Sequence, residues 1–147
     1  MPTFLSLDPG GTTGAALIKY EDNLEPIVVW KKQIKGSLKG FLDWHWDELI
    51  DTEIDFIVCE DFTLREGVHG VDLSPVYIIG ALEALYAVTP IFYQAPKIKP
   101  LCDDLRLKKI GLHTPGKQHA NDAVRHGIIY LRNSRHLPTL KMGWSDD

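Results

Sequence analysis

The sequence predicts an α/β domain built on a mixed five-stranded sheet, three antiparallel strands followed by parallel ones, with helices on both faces. Three observations predict it. Short β-rich runs open the chain, separated only by glycines or a polar turn. Later apolar runs alternate with segments of helical periodicity. Tight connections join antiparallel strands, whereas helical crossovers return the chain in parallel.

The elements follow in order. Thr3–Leu7 reads as the first strand. Gly10, Gly11 and Gly14 punctuate the chain, and Ala15–Tyr20 reads as the second strand. The turn "EDNLE" leads into a third, Pro26–Ile34, rich in β-branched and aromatic residues. Ser37 is placed to cap a helix. In it Leu38, Phe41, Leu42, His45, Trp46 and Leu49 recur at helical spacing, an aromatic stripe expected in the core. "DFIVCE" is a short apolar strand ending in an acid, and residues 61–72 read as a loop. Ser74 and Pro75 start the next helix, Ser as N-cap and Pro at the first helical position, running to about Ala87. Ile91–Gln94 is the fifth strand. A helix is expected from Lys99 or Pro100 to Gly111, and the last helix from near Lys117 to about Asn133.

With 147 residues, the chain reads as one domain, 1–147, large enough to bury a core. It holds no apolar run of about 18 residues, so no membrane span is expected. Its start lacks the charged and apolar regions of a signal peptide, and a cytoplasmic location is expected. Cys59 and Cys102 suggest neither a disulfide framework nor a zinc site. The net charge of −4 is unevenly spread. Residues 1–93 carry 6 Lys/Arg against 15 Asp/Glu, whereas residues 94–141 carry 10 against 3. Such asymmetry is expected either of a surface that faces a polyanion or of a solvated face.

Two acids end strands, Asp8 the first and Glu60 the fourth. If those strands are neighbours, the carboxylates meet at one sheet edge, and a divalent cation relieves their repulsion. Asp61 competes with Glu60, which is preferred because it directly follows the apolar run. In "KQHANDAVRHGIIYL", Ala120, Val124, Gly127, Ile128 and Leu131 form an apolar helix stripe. His119, Asp122 and His126 lie beside it, which sets a His-x-x-Asp pair in the first turn at the margin of the buried face. Asp8, Glu60, Asp122 and His119 together supply oxygen ligands and one nitrogen, a set that suits magnesium or manganese rather than zinc. Two such ions would clamp the attacking water and the leaving oxygen of a phosphodiester.

The motifs "LSLDPGGTTGAALI", "FIVCED" and "HANDAVRHGIIYL", in this order, resemble the RuvC-type Holliday junction resolvases of the RNase H-like superfamily. The resemblance covers most of residues 3–132 and matches compact bacteriophage members. It implies an RNase H-like fold and a homodimer acting on branched DNA. The implied activity is a metal-dependent endonuclease that resolves four-way junctions with Asp8, Glu60, His119 and Asp122 as its metal site. It also implies a junction-entering aromatic in the loop after Glu60, for which Phe62 is the candidate. Phosphate contacts are expected from Arg65, Lys97, Lys99, Lys108, Lys109, Lys117, Arg125 and Arg132. The segment from Gln94 to Gln118 is short for the bacterial members.

Three other readings stay open. One is a general RNase H-like nuclease acting on flaps or RNA–DNA hybrids. Another is a nucleotide-binding actin-like fragment, since the opening Asp and Gly-Thr-Thr also resemble a phosphate loop. The last is a DNA-binding scaffold with a decayed site, against which the intact ligand set argues.

Overall fold

The alternation of side chains along the strands decides which residues face which helices. The computed structural model of the chain describes all residues except 65, 66, 68, 146 and 147, so the expectation for Arg65 lies outside the described residues. The strands are β1 (Thr3–Asp8), β2 (Thr12–Glu21), β3 (Leu24–Lys35), β4 (Phe56–Glu60) and β5 (Ile91–Gln94). The helices are α1 (Ser37–Trp44), α2 (Ser74–Leu85), α3 (Asp104–Lys109), α4 (Gln118–Asn133) and α5 (Leu137–Trp144). The sheet runs in the order β3-β2-β1-β4-β5. β1–β2 and β2–β3 pair antiparallel, β1–β4 and β4–β5 parallel, as the connection lengths require. Phe4, Ala16, Ile18, Phe56 and Val58 pack under α4 on one face. Leu5, Leu7, Ala15, Ile57 and Cys59 pack under α1 and α2 on the other. Among the described residues no helix is long and apolar enough to cross a membrane.

Four local expectations are corrected. Ser37 does not cap α1. It has φ 55 after Gly36 at φ 98, and its hydroxyl donates to the Ser74 hydroxyl. The expected aromatic stripe is kept only in part: Phe41, His45 and Leu49 are buried, but Trp44, the last residue of α1, enters the core and Trp46 is 55% exposed. From His45 the helix widens into a π turn, His45–Leu49, in which the Ile50 amide donates to the His45 carbonyl. At the start of α2, Asp72 accepts from the Ser74 amide at 2.9 Å, so the acid two residues upstream takes the role expected of Ser74. The expected 99–111 helix is two pieces, a 3-10 helix Pro96–Cys102 and then α3, which Asp103 caps by accepting from the Arg106 amide at 2.9 Å. Pro100 has no amide hydrogen to continue an α-helical ladder. The helix α5 was not expected. His136 anchors its start, its Nε2 to the Glu21 carbonyl at 2.5 Å and its Nδ1 to the Thr139 hydroxyl at 2.7 Å.

The placement of α4 depends on missing side chains. A Cβ at Gly14 on β2 would stand 1.8 Å from the His119 carbonyl oxygen, a backbone atom of the first turn of α4. Gly127 does the same from the helix side, where a Cβ would stand 2.4 Å from Ile18 Cδ1. The Ser6 hydroxyl then reaches the Ala123 carbonyl at 2.6 Å in the buried space between. Gly14→Ala is expected to force the start of α4 off the sheet and to cost about 2 kcal/mol or more, since overpacking against backbone cannot relax by a rotamer change. Thermal unfolding checks it, and an unchanged melting temperature would mean that α4 is not held at this distance.

Candidate active site

Strand parity carries three carboxyl groups to one place. Leu7 pairs with Cys59 in the parallel β1–β4 ladder, so Asp8 and Glu60 follow side by side at the carboxyl ends of adjacent strands. Both continue the parity of Phe4 and Ser6, or of Phe56 and Val58, whose side chains face α4. Asp122, in the second turn of α4, meets them there and is only 8% exposed. Asp61 has the opposite parity. It is exposed and accepts from the Phe62 amide at 2.8 Å.

The cluster is lined with cations. Lys99, on the 3-10 helix, places Nζ 3.0 Å from Glu60 Oε2 and 3.5 Å from Asp122 Oδ2. His126, fully buried one turn beyond Asp122, sets Nε2 2.7 Å from Glu60 Oε2 and Nδ1 2.7 Å from Gln94 Oε1. The ring is thus held between the Glu60 carboxyl and the Gln94 amide. Arg125 NH1 pairs with Asp122 and NH2 with Asp104, while Nε donates to the Cys102 carbonyl at 2.5 Å. Gln118 Nε2 also donates to Asp122, at 3.2 Å.

Burial and then the adjacent Glu60 push the Asp8 carboxyl up to about 8. Burial raises Glu60 as well. The His126 hydrogen bond and charge, and then Lys99, outweigh it and bring Glu60 down to about 2. The two carboxyls share a hydrogen bond, so the proton sits on Asp8 and the charge on Glu60.

The structure thus brings together Asp8, Glu60, Asp122 and Lys99, and leaves His119 aside. The His119 ring is exposed and makes no hydrogen bond or ion pair among the described residues, and its amide donates to Gln33 Oε1 at 3.0 Å. Arg125, expected to contact phosphates, is corrected to a structural ion pair, since its side chain is 4% exposed and its guanidinium is fully used. Lys97, Lys108, Lys109 and Lys117 are exposed as expected. Arg132 is half-buried with its guanidinium over the Trp144 ring at 5.4 Å, and Phe62 is half-buried where the loop begins. Sequence reasoning missed His126 as a partner of Glu60, although its i+4 spacing from Asp122 placed it beside the cluster.

The donor set is chemically suited to a hard divalent ion, with three carboxyls on rigid elements. One observation supports the fit and one qualifies it. Asp8 retains a proton up to about 8 because burial and then the adjacent Glu60 disfavour its charge, an effect that a bound cation would offset. Yet Lys99 stands between Glu60 and Asp122. Among the described residues no group of three or more acidic, His or Cys side chains is arranged to hold a metal. An ion would therefore have to displace the Lys99 ammonium.

The sign of the pH dependence follows. Between about pH 4 and 8 the folded chain keeps the Asp8 proton that the unfolded chain has lost, so metal-free stability falls as pH rises through that window. Glu60 acts the other way only below its ordinary range, where stability is lost as pH drops toward about 2. Asp8→Asn is expected to remove the decline and to stabilise the metal-free protein at pH 8 by more than about 1 kcal/mol. Denaturant titrations in EDTA at pH 5 and pH 8 check it. A parent protein equally stable at both pH values would show that Asp8 is not crowded by its neighbours.

No family model matches the sequence, and no curated protein matches it. Solved structures do. Thermus thermophilus RuvC in complex with a Holliday junction substrate aligns over 94% of this chain and 98% of that one, with TM-score 0.69 and 13% identity. A second structure of Thermus thermophilus RuvC aligns over 90% and 96%, with TM-score 0.64 and 13% identity. The fowlpox virus Holliday junction resolvase aligns over 90% and 99%, with TM-score 0.56 and 12% identity. At such identities the likeness is one of backbone, and it extends nearly end to end. The chain has the RNase H-like fold in the form that RuvC and the poxvirus resolvase also adopt.

Proposed function

We propose that this protein is a metal-dependent endodeoxyribonuclease that resolves four-way DNA junctions. The single observation that carries the reading is the meeting of Asp8, Glu60 and Asp122 at one edge of a sheet. That sheet belongs to a chain whose fold matches, over 94% of its length, a resolvase held on a Holliday junction. Magnesium or manganese, one ion or two, would be held by Asp8, Glu60 and Asp122, with the exposed His119 ring one turn away as a further donor. When bound, such an ion supplies Lewis acidity at the phosphodiester and a more acidic water. The chain's own residues do the rest. Asp8 would have to lose its proton to hold the ion. His126 and Gln94 keep Glu60 oriented from behind. Arg125 holds Asp122 in the second turn of α4. Lys99, once displaced from the carboxylates, is free to face a phosphate oxygen. Lys97, Lys108, Lys109, Lys117 and Arg132 supply phosphate contacts around the site, and Phe62 heads the loop that faces the junction.

The geometry makes the cleavage experiment direct. Asp8→Asn and Glu60→Gln are expected to lower cleavage of a synthetic four-way junction by orders of magnitude, while binding persists because negative charge facing the phosphates has fallen. Parallel reactions on duplex, flap and RNA–DNA hybrid, with and without magnesium, separate junction resolution from general nuclease activity. Equal cutting of flap and junction would favour the general nuclease, and full activity of Asp8→Asn would remove the site.

A homodimer fits a substrate with two equivalent strands to cut. The inner stripe of α2 is Ser74, Ile78 and Leu82. That leaves Val76, Tyr77, Gly80 and Ala84 on its exposed side, with Leu73 at its start 42% exposed. Val76→Glu is expected to turn a dimer into a monomer by light scattering without lowering the melting temperature of the fold. A parent protein that is monomeric both free and on a junction would contradict the dimer.

A further inference from the structure

A groove of about 450 Å3 lies between the edge strand β3 and the segment that leads into α4, lined by Lys31, Lys32, Gln33, Thr114, Lys117 and Ala120. None of these side chains is acidic. Lys31, Gln33 and Lys35 pair with Ala16, Gly14 and Thr12 of β2. Ala16 packs under α4, so these three β3 residues face the α4 side. Lys31 Nζ donates to the Leu112 carbonyl at 2.8 Å and finds no carboxylate among the described residues. Gln33 Oε1 accepts from the His119 and Ala120 amides at 3.0 and 3.2 Å, which ties the strand edge to the first turn of α4. Lys35 and Lys117 are exposed, and neither has an ion-pair partner among the described residues. Lys32 also lines the groove, but its ammonium is paired with Glu48 at 3.5 Å, so it does not count among the cations without a counter-ion.

The groove ends beside the carboxyl cluster. Lys35 pairs with Thr12, just past Asp8, and Ala120 lies two residues before Asp122. Two residues of strand advance about 6.8 Å, so Lys31 and Lys35 span about 13 Å along one face. A row of cations without counter-ions, rigidly carried by a strand and running up to a phosphodiester-cutting site, is complementary to a nucleic-acid backbone.

We propose that this groove and the end of β3 beyond it form a phosphate track, in which Lys31 and Lys117 in the groove and Lys35 past its end bind the sugar–phosphate backbone of the DNA strand running on from the carboxyl cluster, while Gln33 fixes the track to α4. The nature of the anion rests on the nuclease reading above. Lys31 and Lys35 are additional to the basic segment after Gln94, which holds Lys117, because they come from the acidic half of the chain.

The test is the salt dependence of DNA binding by the full chain in EDTA, read by fluorescence anisotropy on a four-way junction and on a matching duplex. Lys35→Gln with Lys117→Gln is expected to weaken binding to both and to flatten the slope of log affinity against log salt by about 2. The melting temperature should be unchanged, since both side chains are exposed. Lys39→Gln is the control, because Lys39 is paired with Asp43 on α1 at 2.8 Å and should leave the slope as it is. A slope unchanged in the double variant, or flattened equally by Lys39→Gln, would overturn the track. Inorganic phosphate that displaces DNA in a lysine-dependent way at constant ionic strength would make the groove a small-anion site and overturn it too. Duplex and junction bound equally by the parent, with the slope still flattened, would remove the junction reading and keep the track. No DNA binding by the parent would remove both.

Discussion

The repulsion among three carboxyl groups at one sheet edge is the constraint around which the rest of the structure is arranged. Carboxylates taken out of water are unfavourable unless they are paired or protonated. Both solutions are used here, with cations on Glu60 and Asp122 and a proton on Asp8. The partners of these carboxylates come from different places for a topological reason. His126 reaches Glu60 from the same helix that delivers Asp122, and Lys99 comes from the short connection after β5. The parallel β1–β4–β5 arrangement is what brings that connection over the carboxyl ends of the strands.

The two long cations do different work. The Arg125 side chain is 4% exposed, and its planar fork divides between Asp122, Asp104 and a backbone carbonyl. Removing it would leave buried charge behind, so it is part of the scaffold. The Lys99 side chain is 30% exposed and carries a single flexible point charge. Of the two it is the one that can leave without uncovering a buried ion. Pro96 opens the short 3-10 helix and Pro100 lies inside it, directly after the lysine.

Much of this was legible in the sequence because period and punctuation reported it directly. The strand-end acids, the glycine turn after Asp8 and the apolar stripe of α4 each follow from local pattern, and the antiparallel and parallel pairings follow from connection length, whereas the adjacency of β1 and β4 that joins Asp8 to Glu60 comes from the fold. What was not legible depends on hydrogen bonds that pattern does not encode. The π turn at His45–Leu49 keeps His45 and Leu49 buried but leaves Trp46 exposed, while Trp44 at the end of α1 takes a core position. Arg125 reads as a surface cation because it is charged, yet its position three residues after Asp122 turns it inward. His126 lay beside the cluster by spacing, but its pairing with Glu60 needs Gln94 from β5, a contact that no local window contains. The helix α5 escaped because its anchor is a histidine ring bonded to the Glu21 carbonyl at the end of β2.

Charge along the chain and charge in space also part company here, and the reason is β3. The first 93 residues are strongly acidic as a set, and the basic surplus lies after residue 94. An edge strand, however, places alternate residues on one face whatever the composition of its neighbourhood. Lys31 and Lys35 therefore join Lys117 on the α4 side, although more than 80 residues separate them in sequence. The close approach at Gly14 makes this possible, because it sets the first turn of α4 directly over the β2–β3 ladder. The same glycine that lets Asp122 approach Asp8 thus brings the lysines of the edge strand to the margin of the carboxyl cluster. A site that gathers negative charge at its centre gains a cationic border from the packing contact that assembles it.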